Sequence, residues 1–271
     1  AYQYDSQGRI TQVSATPSGG SPVVLASNFV YSHPFAGPAQ FQYGSGQPSA
    51  RDLDQDYRTA YEYDGLLYRS FGYDEVDNLK TVVIPFLNGA QTTYGYDATG
   101  RLVSALDTAG DSFGNLAWTY DQNGNRQSET RNGGTQAYAY TPPNWLYQKG
   151  AEVRPRTANG NTAYTGTASF TYDGFNRLAT SQTASETTTY TYNGAGERIR
   201  KQNQHGLYTG FLYDDQGRLI YEKSGTDTKE YVWLDDRLLA RIDNGTSIYY
   251  YHLDRLGTPQ GMSNQTGAVV W

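Results

Sequence analysis

The chain contains no cysteine, which excludes a disulfide framework and any thiol chemistry. Its three histidines are too few for a zinc site built from the usual ligands, and no metal or cofactor is expected. No apolar run approaches the roughly 18 residues that would cross a membrane as a helix. The N-terminus is neither basic nor apolar enough for a secretion signal. Lysine and arginine number 21 against 27 acidic residues. With no basic cluster among them, the stripe of a nucleic-acid binder is missing and no such partner is expected. Apolar residues make up 37%, little for one compact core at this length.

Tyrosine is what the chain has in quantity, 26 copies against 9 phenylalanines and 4 tryptophans. Much of its buried surface must therefore come from rings whose hydroxyl wants a partner. Thirty glycines and ten prolines supply frequent reversals, so short strands and tight turns are predicted, with no helix longer than about two turns.

The tyrosines fall in a repeat. Tyr-Asp occurs seven times, with a near-copy at Tyr192-Asn193. Three copies obey Y-D-x-x-G-R-[LI]: Tyr4, Asp5, Gly8, Arg9 and Ile10; Tyr96, Asp97, Gly100, Arg101 and Leu102; Tyr213, Asp214, Gly217, Arg218 and Leu219. In a fourth, Tyr172, Asp173, Asn176, Arg177 and Leu178 put asparagine, which also tolerates positive φ, at the glycine position. Looser copies span 73–79 and 120–126 (Tyr120, Asp121, Gly124) and 192–198, while Tyr63-Asp64-Gly65 keeps only the opening. Starts at 73, 96 and 120 lie 23 and 24 apart, and those at 172, 192 and 213 lie 20 and 21 apart, the length of one hairpin. The expected mechanics are those of a turn. Aspartate accepts N–H bonds from residues just ahead, glycine or asparagine takes the left-handed position, and arginine is free to pair with aspartates of neighbouring turns. Gly37 to Ser49 and Pro142 to Gly166 carry no clear copy and read as degenerate repeats or surface loops.

The pattern resembles the YD-repeat family, which includes Rhs proteins, the C components of insecticidal toxin complexes and the teneurins. The stretch 231–259 is similar to the bacterial Rhs core signature, ending in Tyr249-Tyr250-Tyr251-His252-Leu253-Asp254-Arg255-Leu256-Gly257-Thr258-Pro259. The resemblance implies an all-β, spiralling strip of antiparallel hairpins over 1–271, an open segment of a larger hollow cocoon. It implies a secreted or surface-exposed bacterial protein whose partner is the remainder of the same polypeptide, including an enclosed C-terminal toxin. The self-cleavage segment and toxin domain of family members have no counterpart in this sequence, so no enzyme activity is expected of it. The chain opens on a repeat and closes on Val269-Val270-Trp271 without a polar cap, the expectation for an excerpt of a longer protein.

Rival readings are weaker. His252 and Asp254 have the residue types of a catalytic pair, but two such residues two apart arise easily by chance, and a structural role is favoured together with Gly257, Thr258 and Pro259. Asp52-Leu53-Asp54-Gln55-Asp56 imitates the start of a calcium loop, yet Tyr57 and Tyr63 stand where glycine and glutamate are needed. Asn244-Gly245-Thr246 and Asn264-Gln265-Thr266 match the glycosylation triplet, too common a pattern to assign. A surface adhesin or carbohydrate-binding repeat module also uses aromatics before Asp-x-x-Gly turns, but it carries glycine-tryptophan pairs rather than repeated Gly-Arg-Leu. So few apolar residues favour a wet interior lined by tyrosine, threonine and asparagine, and the unpaired edges of an open strip favour edge-to-edge self-association.

Overall fold

A computed structural model describes residues 1–33, 37–85, 89–108, 114–142 and 144–271. Among the described residues there is no helix, and 25 strands form two open sheets. The first sheet has 15 strands, from Tyr2–Tyr4 to Glu152–Val153. The second has ten, from Ser169–Tyr172 to Pro259–Asn264. In both, each strand bonds to the strand before it and the strand after it in sequence. This all-next-neighbour order is what short turns at hairpin spacing produce, since a two- to five-residue loop can only return the chain antiparallel beside itself.

The turns also set the register. Tyr4 pairs with Ile10, Tyr96 with Leu102, Tyr120 with Arg126, Tyr172 with Leu178 and Tyr192 with Arg198, each with a register shift next to that pair. Five residues therefore bridge each of these hairpins, and the bulge beside it adds local twist. The stretch 37–49 forms a hairpin between Gln40–Tyr43 and Pro48–Leu53. Within 142–166, where residue 143 lies outside the described residues, a bridge joins Arg156 to Thr162 around another turn.

The chain divides into two compact units. One comprises Ala1–Gly72, Val82–Gly89 and Leu212–Trp271; the other comprises Tyr73–Thr81 and Ala90–Phe211. The first unit departs from the wet interior expected of the composition. Val13, Leu25, Ala26 and Phe41 from one sheet pack with Leu234, Leu239, Ala240, Ile242, Ile248 and Tyr250 from the other in a single buried cluster. The aliphatic residues are few, but this unit concentrates them on facing strands such as Val23–Val30 and Arg237–Asp243. Average composition conceals such clustering. The second unit buries little beyond Ala90, Thr92, Ala105, Thr188 and Phe211, and depends more heavily on the polar contacts between repeats described next.

Candidate functional site

Six of the seven Tyr-Asp turns are gripped by their aspartate, Asp64 being the exception. In the first copy the Gly8 N–H donates to the Asp5 carbonyl at 3.0 Å and the Asp5 N–H to the Arg9 carbonyl at 2.9 Å. The Asp5 Oδ1 accepts the N–H groups of Gln7 at 2.8 Å and Arg9 at 2.9 Å, and Arg9 Nε donates to Oδ2 at 2.7 Å. The same grip recurs at Asp97 with Arg101, Asp173 with Arg177 and Asp214 with Arg218. At Asp74 and Asp121 an asparagine side chain, Asn78 or Asn125, replaces the arginine. Gly8, Gly100, Gly124, Gly217 and Asn176 all have positive φ. Hydrogen bonds from the turn hold the carboxylates of Asp5, Asp97, Asp173 and Asp214 below the usual range, where they stay charged through mild acid.

Arginine thus pairs with the aspartate of its own turn, not with aspartates of neighbouring turns. The cause is reach: Nε, four residues after the aspartate across a closed turn, already meets Oδ2, and the outer nitrogens are left to span the gap to the next repeat. There Arg101 Nη1 donates to the Asp121 carbonyl at 3.2 Å and Arg177 Nη1 to the Asn193 carbonyl at 3.4 Å. An aromatic ring from the following repeat covers each guanidinium, Tyr31 over Arg9 at 5.0 Å, Tyr120 over Arg101 at 4.9 Å, Tyr192 over Arg177 at 4.8 Å and Trp233 over Arg218 at 5.7 Å. The polar end of that ring closes the lock on the carbonyl just after the arginine: Tyr31 on Ile10 at 2.8 Å, Tyr120 on Leu102 at 2.6 Å, Tyr192 on Leu178 at 2.9 Å and Trp233 on Leu219 at 2.9 Å. A stack of this kind contributes roughly 0.5–1 kcal/mol and the hydrogen bond on the order of 1 kcal/mol, so adjacent hairpins are coupled without an apolar core.

Within the first unit, a polar hub lies beside the aliphatic cluster. Asp64 is buried; its Oδ2 accepts the Leu253 N–H at 2.6 Å and an Arg237 Nη2 at 3.4 Å, and its Oδ1 faces the Tyr43 hydroxyl at 2.7 Å. That hydroxyl also lies 2.9 Å from the Tyr251 carbonyl and shares its hydrogen between the two acceptors. Burial and the Asp64 charge push Tyr43 ionisation well up, so it remains a donor. Next to it His252, fully buried, lies with Nε2 2.8 Å from Ser263 Oγ, whose hydroxyl donates to Gln47 Oε1 at 2.8 Å. With its own hydrogen given to Gln47, Ser263 is placed to accept from an Nε2–H, and Nδ1 has no hydrogen-bond partner among the described residues. Burial lowers the histidine's proton affinity further. Gly65 is required twice over: its φ is +63°, and a Cβ there would sit 2.5 Å from His252 Nδ1.

A serine, a histidine and an aspartate therefore meet, but they do not form a nucleophilic triad. The hydroxyl of Ser263 is committed to Gln47, Nδ1 receives no carboxylate, and both side chains are wholly buried. Asp254 is turned elsewhere, gripping the N–H groups of Leu256 and Thr258 at 2.9 Å each. Gly257 is left-handed and Pro259 pairs with Leu253, so the end of the signature stretch is one more turn of the repeat type. Similar grips occur at Asp54, Asn203 and Asn264, where the sequence offers no preceding Tyr-Asp. Asp54 thus belongs to a turn, and Tyr57, in the would-be calcium glycine position, has φ +62°. Among the described residues no group of acidic and histidine side chains could hold a metal ion, and no helix is long and apolar enough to cross a membrane.

Comparison with known proteins matches residues 49–271 to the family described as Teneurin YD-shell. The chain is 26% identical over 245 residues to double-stranded DNA deaminase toxin A of Burkholderia cenocepacia, which covers 76% of this chain and 16% of that protein. It is 26% identical over 285 residues to the tRNA3(Ser)-specific nuclease WapA of Bacillus spizizenii, covering 84% of this chain and 12% of that one. Among solved structures, the TcdB2-TccC3-Cdc42 crystal structure superposes with a TM-score of 0.78 at 16% identity, over 99% of this chain and 16% of that one. The Photorhabdus luminescens Tc holotoxin pore gives a TM-score of 0.78 at 14% identity, again over 99% and 16%. The chain spans about a sixth or less of the length of the relatives it matches.

Proposed function

Because the chain belongs to the Teneurin YD-shell family, we propose that it is a segment of the shell by which an Rhs-type protein encloses a C-terminal toxin of the same polypeptide, for release against competing bacteria or a host. The carrying observation is the match over residues 49–271 to a shell domain, built here from hairpins locked repeat to repeat. Two relatives bear the names of a DNA deaminase toxin and a tRNA nuclease, which supports a toxin as the enclosed partner. On this reading the chain is secreted or displayed at the cell surface, and its repeats form one array over 1–271. The turn residues and the His252 to Pro259 signature then serve as structure, not chemistry. Limited proteolysis of the complete natural polypeptide tests this. A C-terminal domain resistant to protease in the intact protein, and digested once the turns are broken by Gly100→Val together with Gly217→Val, is the expected result. A C-terminal region cleaved as readily as a free domain would overturn it.

A further inference from the structure

Beside the hub in the first unit, a cleft is lined by Phe41, Arg51, Glu62, Asp64, Arg237 and Arg255 among others. Its charges do not balance. The Glu62 carboxylate is taken by Arg69, 3.3 Å away, outside the lining. Asp64 is already filled by Tyr43, Leu253 and the long contact to Arg237. Among the described residues, the Arg237 guanidinium reaches only Asp64 at that long distance and the neighbouring Tyr43 hydroxyl, Arg255 lies over the Phe71 ring at 5.4 Å with no hydrogen bond, and the half-buried Arg51 guanidinium has neither a hydrogen bond nor an ion pair. Three cations thus face two carboxylates, one of them engaged elsewhere. A guanidinium cannot shed its proton to escape a half-buried, like-charged setting, so the imbalance persists until an anion enters.

We propose that this cleft binds one carboxylate, received by the unpartnered fork of Arg51 with Arg237 and Arg255 around it. Burial and the neighbouring Arg237 already disfavour the charged form of Arg51, and an incoming anion would relieve this. The planar fork matches a carboxylate. A monoanion suits the cleft, because a dianion would bring its second charge against the Asp64 and Glu62 carboxylates. A carboxylate supplied by a peptide side chain and one supplied by a small free acid share this chemistry, and the probes below separate them.

The 271-residue chain is titrated with sodium acetate and, at equal ionic strength, with sodium chloride and sodium phosphate, while the Arg51 Nε–H resonance and thermal unfolding are followed. Acetate should give a saturable resonance shift and a rise in Tm that chloride and phosphate do not match. The α-amide of N-acetylglutamic acid binding at least tenfold tighter than acetate would identify a peptide side chain as the source; equal binding would identify a small free acid. N-acetylglutamine amide should be silent. Arg51→Gln should weaken acetate binding at least tenfold, and Glu62→Gln should strengthen it. Acetate acting no differently from chloride on the wild-type chain, or binding undiminished in a folded Arg51→Gln, would overturn the proposal.

Discussion

Asp64 and Asp214 both open a Tyr-Asp copy, yet their replacement by asparagine should differ in cost. Asp214 accepts two backbone N–H groups at an accessible turn, and Asn203 and Asn264 do the same elsewhere in the chain. Asp214→Asn should therefore cost little, its loss being mainly the partly exposed Arg218 pair. Asp64→Asn substitutes a donor for one of two oxygens that face donors only, in a buried network, and should cost about 3 kcal/mol. Urea unfolding of the two variants checks the ranking. Tyr57 gives a prediction of the opposite sign: it is 71% exposed at φ +62°, where a tyrosine is strained by ~1–2 kcal/mol, and Tyr57→Asn should raise stability by up to ~1 kcal/mol, less any loss of its edge contact with His33. The titration of His252 adds a pH dependence. Its folded pKa is depressed by burial, so its contribution is fully present above its unfolded value of about 6.5 and is lost as pH falls through the lower folded value. Glu62, raised by burial, opposes this at lower pH, its contribution growing as pH falls. The difference between wild type and His252→Gln isolates the histidine, and their unfolding free energies should converge as pH drops from 7 to 5.

At the scale of the hairpin, the turn and the lock act together. Arg101 binds Asp97, the Asp121 carbonyl and the Tyr120 ring at once, which a lysine ammonium cannot reproduce because it has no fork and no plane. Arg101→Lys should cost about 1 kcal/mol. A double-mutant cycle with Tyr120→Phe, which removes only the bond to the Leu102 carbonyl, should show coupling on the order of 0.5 kcal/mol. Amide exchange should quicken at 96–102 and 120–126 and leave distant repeats unchanged, since each hairpin bonds only to its neighbours. Exchange rising uniformly over the chain would mean that the array unfolds as one unit and that the lock does not insulate repeats.

At the scale of the whole chain, both sheets are open, and each ends in strands with one unpaired edge. Tyr2–Tyr4 is wholly exposed, whereas Pro259–Asn264 begins with proline, which has no N–H to offer, and its Met262 is bonded by Val270 and Trp271. Edge pairing between copies should therefore occur through the first strand. Size-exclusion chromatography should show mass rising with concentration, and Tyr2→Pro should suppress it; a monomer at every concentration would mean the edge is protected. The turn carboxylates set the acid limit of the array. Asp5, Asp97, Asp173 and Asp214 all have lowered pKa values, so their stabilisation is complete above their ordinary value near 3.8 and is lost only as pH falls below it. Circular dichroism at pH 5 should accordingly show the turns and strands intact.

The sequence by itself determined the hairpins, because everything that makes them lies within seven residues. Asp97 reaches Thr99, Arg101 and their N–H groups without leaving its own turn, and Gly100 takes the left-handed position that closes it. It also determined the next-neighbour strand order, since loops this short permit no other. Variant turns were harder to read: at Asp54 and Asn203 the grip is made by the same atoms, but Leu53 and Gln202 replace the marking tyrosine. The tertiary structure alone decided where arginine spends its outer nitrogens, and that the scarce aliphatic residues gather in one unit. It alone brought Asp64 to Tyr43, Arg237 and Leu253, which lie 21, 173 and 189 residues away. The local sequence marks Asp64 only as a truncated copy, and names none of those partners. The difference comes from the two-residue loop at Gly65 and Leu66, too short for the turn grip, which leaves the carboxylate free for partners that only folding delivers.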